Sequence, residues 1–149
     1  EKDLPPVTYR ELAIKVLEIC ENAGVSCVLH YFYKEAIELG VKKIHLPLHI
    51  LEKMTEREKN CFEVIGVSTH SVEQAKMAEK LGASYITAGH VFVTDCKKGL
   101  APRGLGFLKG VCESVDIDVY AIGGISKENM SGCIAAGAKG VCMMSGFMK

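Results

Sequence analysis

The sequence predicts an α/β fold and, within that class, a (β/α) barrel. Three observations carry this. Helical and extended segments alternate between residues 9 and 146. The extended segments lack polar alternation, as do strands buried on both faces of a parallel sheet. Three helix–strand junctions, "ELGVKKIHL", "KLGASYITA" and "AAGAKGVCM", share one form: helix, glycine stop, small residue, strand. A βα repeat fits an open doubly wound sheet or a barrel, and such even repetition favours the barrel.

Each element has its own warrant. Residues 9–24 carry Leu12, Val16, Ile19 and Cys20 at helical spacing, and Gly24 ends the run. Residues 25–30, "VSCVLH", form a short β-branched strand. Residues 34–40 are helical and close on Gly40. Residues 42–47 form a strand that stops at Pro47. A third strand covers 62–68. The helix over 71–82 starts at Ser71, with Gln74 three positions on as in a capping box. Residues 84–92 give a strand and its loop, 105–115 a helix, and 118–124 a strand. The helix over 126–137 takes Ser126 as its N-cap, and a last strand covers 139–146. The count is six strands and five helices. A complete barrel has eight strands and typically ~250 residues. The expectation is therefore one TIM-type (β/α)8 barrel domain over 1–149, with one or two N-terminal strands missing before the helix at 9–24.

Composition excludes several classes. Lys+Arg and Asp+Glu balance at 18 each, which leaves no basic surplus for nucleic acid or a polybasic membrane patch. No apolar run approaches the ~18 residues of a membrane span, and no signal-peptide pattern opens the sequence. The seven cysteines, at 20, 27, 61, 96, 112, 133 and 142, are odd in number and form no CxxC. Most lie in apolar segments, as small buried hydrophobes do. That pattern points to a reducing cytoplasm rather than a disulfide framework. It also lacks the spacing of a metal site.

In such barrels the chemistry sits on the loops after the strands. "IGGIS" follows the strand at 118–122. Its glycines allow close backbone approach to a ligand, and a following helix N-terminus favours a phosphate. "MMSG" at the next strand adds Ser145 and Gly146. The bland alternative is that the glycines only make tight turns. "AGHVFVTDCKKG" places His90 at a strand end, with Lys97 and Lys98 beside Gly99. A histidine can take and return a proton, and a lysine can hold an anion. A structural histidine and a solvated lysine pair are the ordinary alternatives. Ser68 and His70 end another strand and read as caps. His30, His45 and His49 are scattered, and Met143 and Met144 read as core.

"GVSTHSVEQAKMAEKLGASYITAGHVFVTDCKKG", "GLGFLKGV", "VYAIGGIS" and "AAGAKGVCMMSG" together resemble the thiamine phosphate synthase superfamily. Gly-His-Val-Phe followed by Thr-Asp-Cys-Lys-Lys-Gly resembles its thiazole tautomerase branch. The resemblance runs over nearly the whole chain and is strongest from Gly66 to Gly146. It implies a (β/α)8 barrel with two strands ahead of the first helix seen here. It implies that Lys2 matches the lysine of an Arg-x-Lys region. It further implies a proton-transfer role for His90, substrate phosphate on Gly123, Gly124, Ser145 and Gly146, and a carboxylate or other anion near Lys97, Lys2 and Ser68.

The synthase of this superfamily joins a pyrimidine pyrophosphate to a thiazole phosphate. It uses a divalent metal held by acidic residues after the third and fourth strands. Here those loops read "LHYFYKEA" and "HLPLHIL", without the Asn-Asp pair and the Asp that hold the cation in that family; His30, Tyr31 and His49 stand in that neighbourhood, where a hard cation wants carboxylate oxygens. The synthase also usually has proline where this chain has His90. The first expectation is therefore an isomerase that converts a thiazole carboxylate phosphate to its aromatic tautomer, with no metal and no cofactor. The alternatives are the synthase and a non-catalytic regulatory relative. The expected partner is the small-molecule thiazole phosphate, and a homo-oligomer is left open.

Overall fold

The computed structural model describes residues 2–97, 99–144 and 146. The chain divides into two compact units, Glu1–Ile65 and Gly66–Lys149. The α/β class holds in both, and every described strand pairing is parallel and follows sequence order. No described helix is long and apolar enough to cross a membrane.

The first unit contains α1 (Pro6–Asn22), β1 (Leu29–His30), α2 (Tyr33–Glu38), β2 (Lys43–Pro47), α3 (Leu48–Leu51) and α4 (Glu56–Lys59). Helix α1 starts three residues before the sequence expectation, with Pro6 in its first turn. There the fixed φ of proline suits a helix and its missing N–H costs nothing. Strand β1 is much shorter than the expected 25–30. Leu29 pairs with Ile44 and His30 with His45, so only these two residues lie beside β2, which begins at Lys43. Tyr9 anchors α1 to this edge. Its hydroxyl donates to the His30 carbonyl at 3.0 Å, and its ring lies 4.3 Å from Phe32. The core here is Ala13, Ala36, Ile44, Leu46 and Leu51. The sequence reading missed α3 and α4. Thr55 and Glu58 form a true capping box on α4, with Thr55 N–H donating to the Glu58 carboxylate at 2.8 Å.

Strand β3 (Val64–Thr69) begins at the end of the first unit and continues into the second. The second unit then runs α5 (Val72–Lys80), β4 (Tyr85–Gly89), a 3-10 turn (Asp95–Lys97), α6 (Gly104–Cys112), β5 (Asp118–Ile122), α7 (Met130–Ala135) and β6 (Gly140–Cys142). β3, β4, β5 and β6 pair in that order. One face buries Val67, Ile86, Ala88, Val119 and Ala121, with α5 and α6 packed on β4, α6 also on β5, and α7 on β6. The other face carries a row of hydroxyls in register: Ser68 beside Thr87, and Thr87 beside Tyr120. Burial on both faces holds for most of β4. β5 alternates instead, because Val119 and Ala121 face the helices while Tyr120 and Ile122 do not.

The repeated junctions have one cause. Gly40, Gly82 and Gly137 all have positive φ, between 69° and 103°. The next residue's N–H reaches back five positions: Val41 to Ala36, Ala83 to Ala78, Ala138 to Cys133. This is the Schellman helix end, which needs a left-handed residue and so favours glycine. Two helix starts depart from expectation. Ser71 does cap α5, accepting from Gln74 N–H at 3.2 Å, but the Gln74 side chain takes the N–H of His70, at 2.8 Å, not that of Ser71. Helix α7 starts at Met130 instead of following Ser126, because residues 127–129 form a turn in which Asn129 accepts from Ser126 N–H.

Candidate functional site

The loops after β4 and β5 meet, and backbone contacts hold them together. The pairing of β4 with β5 continues past the strand ends: Val91 N–H donates to Ile122 O and Phe92 N–H to Gly123 O, both at 3.0 Å. The Gly89–His90 peptide is cis. His90 sits directly on Gly123, where an added β-carbon would lie 2.3 Å from the histidine's own Cβ. Gly124 lies against Val93 and Phe92, with 2.2 Å to the Val93 oxygen from such an added carbon. The double glycine therefore satisfies a packing demand first. Helix α7 begins several residues later and has only six residues, so the expected helix N-terminus is not at this loop. Any anion held here would rest on the Gly123–Gly124 backbone itself.

The loop carrying Lys97 closes at its base, where Arg103 N–H donates to His90 O and Gly104 N–H to Val91 O. Within it, Lys97 ends the 3-10 turn and Leu100 N–H donates to Lys97 O at 3.1 Å. Leu100 then offers its carbonyl to His90 Nε2 at 3.3 Å. A carbonyl can only accept, so in the neutral ring Nε2 carries the hydrogen and Nδ1 holds the lone pair. Lys97 is exposed and makes no ion pair among the described residues. Thus His90, Gly123, Gly124 and Lys97 are brought into one pair of loops.

The other expected residues stand apart or outside view. Ser68 lies on the hydroxyl-bearing face of β3, beside Thr87. Ser145 and Lys98 lie outside the described residues. Gly146 is exposed, and a β-carbon there would touch nothing within 4 Å. Lys2 belongs to the first unit, where its charge adds to burial in lowering the pKa of His30. One histidine read as a cap is not one, since Ser71 caps α5: His70 Nδ1 instead lies 2.7 Å from Gly89 O, on the next strand.

In the first unit, His30 and His45 stack at 6.0 Å between ring centroids. Burial, with His30 beside it, lowers His45 to about 4. A free histidine titrates near ~6.5. Above that value neither folded nor unfolded chain carries the proton and stability is full. As pH falls from ~6.5 toward about 4, the unfolded chain takes the proton and the folded one does not, so stability is lost. The loss is up to about 3 kcal/mol. Urea unfolding at pH 7 and pH 5 measures it. His45→Gln should flatten the dependence, and an unchanged slope would remove His45 as its source.

Comparison with known proteins adds the following. The family described as thiamine monophosphate synthase matches residues 1–147. A putative thiamine-phosphate synthase 2 of Aquifex aeolicus is 34% identical over 149 residues, covering 100% of this chain and 80% of its own. A thiamine-phosphate synthase of Clostridium novyi is 32% identical over 155 residues, covering 100% and 74%. Among solved structures, a thiamine phosphate pyrophosphorylase from Pyrococcus furiosus superposes with a TM-score of 0.80 at 29% identity, covering 97% of this chain and 70% of that one.

Proposed function

The chain belongs to the thiamine monophosphate synthase family, and from that premise we propose that it is an enzyme of thiamin biosynthesis acting on a thiazole phosphate. The observation that carries this is the family match over residues 1–147. The names of the relatives favour the synthase over the isomerase that the sequence put first. In the synthase reading, the phosphate of the thiazole rests on the Gly123–Gly124 backbone. Lys97, free of ion partners among the described residues, neutralises the pyrophosphate that leaves as the thiazole joins the pyrimidine. Parallel pairing in sequence order from β3 to β6 is what a (β/α)8 barrel requires of that part of the chain.

A second reading, the tautomerase, has its own support. The synthase chemistry of the family the sequence resembles takes a divalent cation on acidic residues, and the donor set here does not fit one. Tyr31 follows β1 and His49 lies in α3, directly after β2, and no group of three or more His, Cys, Asp or Glu among the described residues is arranged to hold a metal ion. A proton carrier suffices for tautomerisation, and His90, with its Nδ1 lone pair, supplies one.

The two readings separate in one experiment. Purified protein is given both substrate sets, with Mg²⁺ and with EDTA. Thiamin phosphate formed from the pyrimidine and thiazole partners, lost in EDTA and restored by Mg²⁺, establishes the synthase. Tautomerisation unaffected by EDTA establishes the isomerase. A chain that binds thiazole phosphate and turns over neither set is the regulatory relative.

A further inference from the structure

We propose that His70 is a positioning residue for the Gly89–His90 turn. The inference rests on the reading of His90 as a substrate-facing group. His70 directly follows β3, and its Nδ1 lies 2.7 Å from the Gly89 carbonyl oxygen. The oxygen can only accept, so Nδ1 carries the hydrogen, and in the neutral ring Nε2 holds the lone pair. The backbone of His70 is itself held: its N–H donates to Gln74 Oε1 at 2.8 Å, in the first turn of α5. That turn is closed in its own right by Gln74 N–H donating to Ser71 Oγ.

Gly89 is thereby gripped from two sides. On one side β5 presses so close that an added β-carbon would lie 2.3 Å from Ile122 O. On the other, the imidazole of His70 fixes the direction of the carbonyl. The same peptide unit carries the Cα of His90, whose Cβ rests on Gly123. The aim of the His90 ring depends on that peptide staying put, because nothing but one single bond intervenes between its Cα and Cβ. Removing the His70 donor leaves the Gly89 carbonyl without this partner and lets the Gly89–His90 peptide plane tilt within the remaining backbone bonds. Misplacement on the ångström scale costs about 10²-fold in rate at a reacting group.

The test uses His70→Ala, His70→Asn and His70→Gln in the full chain. The Asn amide nitrogen takes nearly the place of Nδ1 and can donate to Gly89 O. The Gln nitrogen falls nearer the place of Nε2 and cannot. Turnover in the reaction the wild type performs should fall about 10- to 100-fold in Ala and Gln, with KM within about twofold, and Asn should restore most of it. In parallel, the His90 ring resonances should move in Ala and Gln and not in Asn. Equal turnover in all three variants and wild type, or equal loss in Asn and Gln, overturns the proposal. If Ala does not fold, the Asn–Gln contrast still decides. If the wild type turns over neither substrate set, the functional reading fails. The His90 resonances then decide alone, upholding the proposal if they move only where the donor is lost.

Discussion

Gly124→Ala should unfold the β4–β5 corner, and Gly123→Ala should do nearly the same. Both glycines have positive φ, 66° at Gly124 and 99° at Gly123, which costs an alanine about 1–2 kcal/mol. The steric term is added to that. At Gly124 the new carbon meets the Val93 oxygen at 2.2 Å and the Phe92 carbonyl at 2.8 Å, and neither can swing aside, being backbone. Overpacking of this kind adds about 1–3 kcal/mol. The combined loss of roughly 2–5 kcal/mol is read in urea unfolding. Gly82→Ala is the control, since it has positive φ and nothing within 4 Å. It should show the backbone cost alone. Equal midpoints for Gly124→Ala and Gly82→Ala would remove the packing argument. One consequence is practical: a substitution at Gly124 reports on folding before it reports on phosphate. Phosphate binding is better read on the wild type, from backbone amide shifts of Gly123, Gly124 and Ile125 on adding thiazole phosphate.

What was legible in the sequence was local. Gly40, Gly82 and Gly137 end helices through bonds that span five residues, so the motif is written in adjacent letters. The order of strands followed from those stops. The short helices α3 and α4 have four residues each, too few to display a 3.6-residue period. Only the Thr55–Glu58 pair marks one of them. The length of β1 was hidden because it depends on where β2 begins, a register set between segments. The site divides in the same way. His90 and the double glycine stood out because they end strands. That Gly123 must be glycine for the sake of His90 could not be read, since the two are far apart in sequence. His70 looked like a cap for a similar reason: its partner, Gly89 O, is 19 residues away.

His90→Asn is the variant that separates the two readings of the site most widely. In the tautomerase reading one group must remove a proton and return it, and a positioned side chain of this kind contributes roughly 10²–10⁴-fold in rate. The ring is arranged for it: Nε2–H donates to Leu100 O at 3.3 Å, which leaves Nδ1 as the basic atom in the neutral form. Asparagine has no titratable group, so tautomerisation should fall by about that factor. Affinity for the thiazole phosphate should hold, because Gly123 and Gly124 contribute backbone rather than side chain. In the synthase reading the reaction joins two substrates and expels pyrophosphate, and it asks for no proton carrier at this position. The same variant should then keep condensation within about tenfold of wild type, an effect well below that of losing an acid–base group. Loss of the Leu100 contact could by itself disturb the loop that carries Lys97. His90→Gln controls for that, since its amide nitrogen takes the place of Nε2 and can still donate to Leu100 O. If Gln restored tautomerisation while Asn did not, His90 would be a clasp on the Lys97 loop and not the proton carrier. If both variants lost it equally while the loop stayed closed, the proton passes through Nδ1 of this histidine.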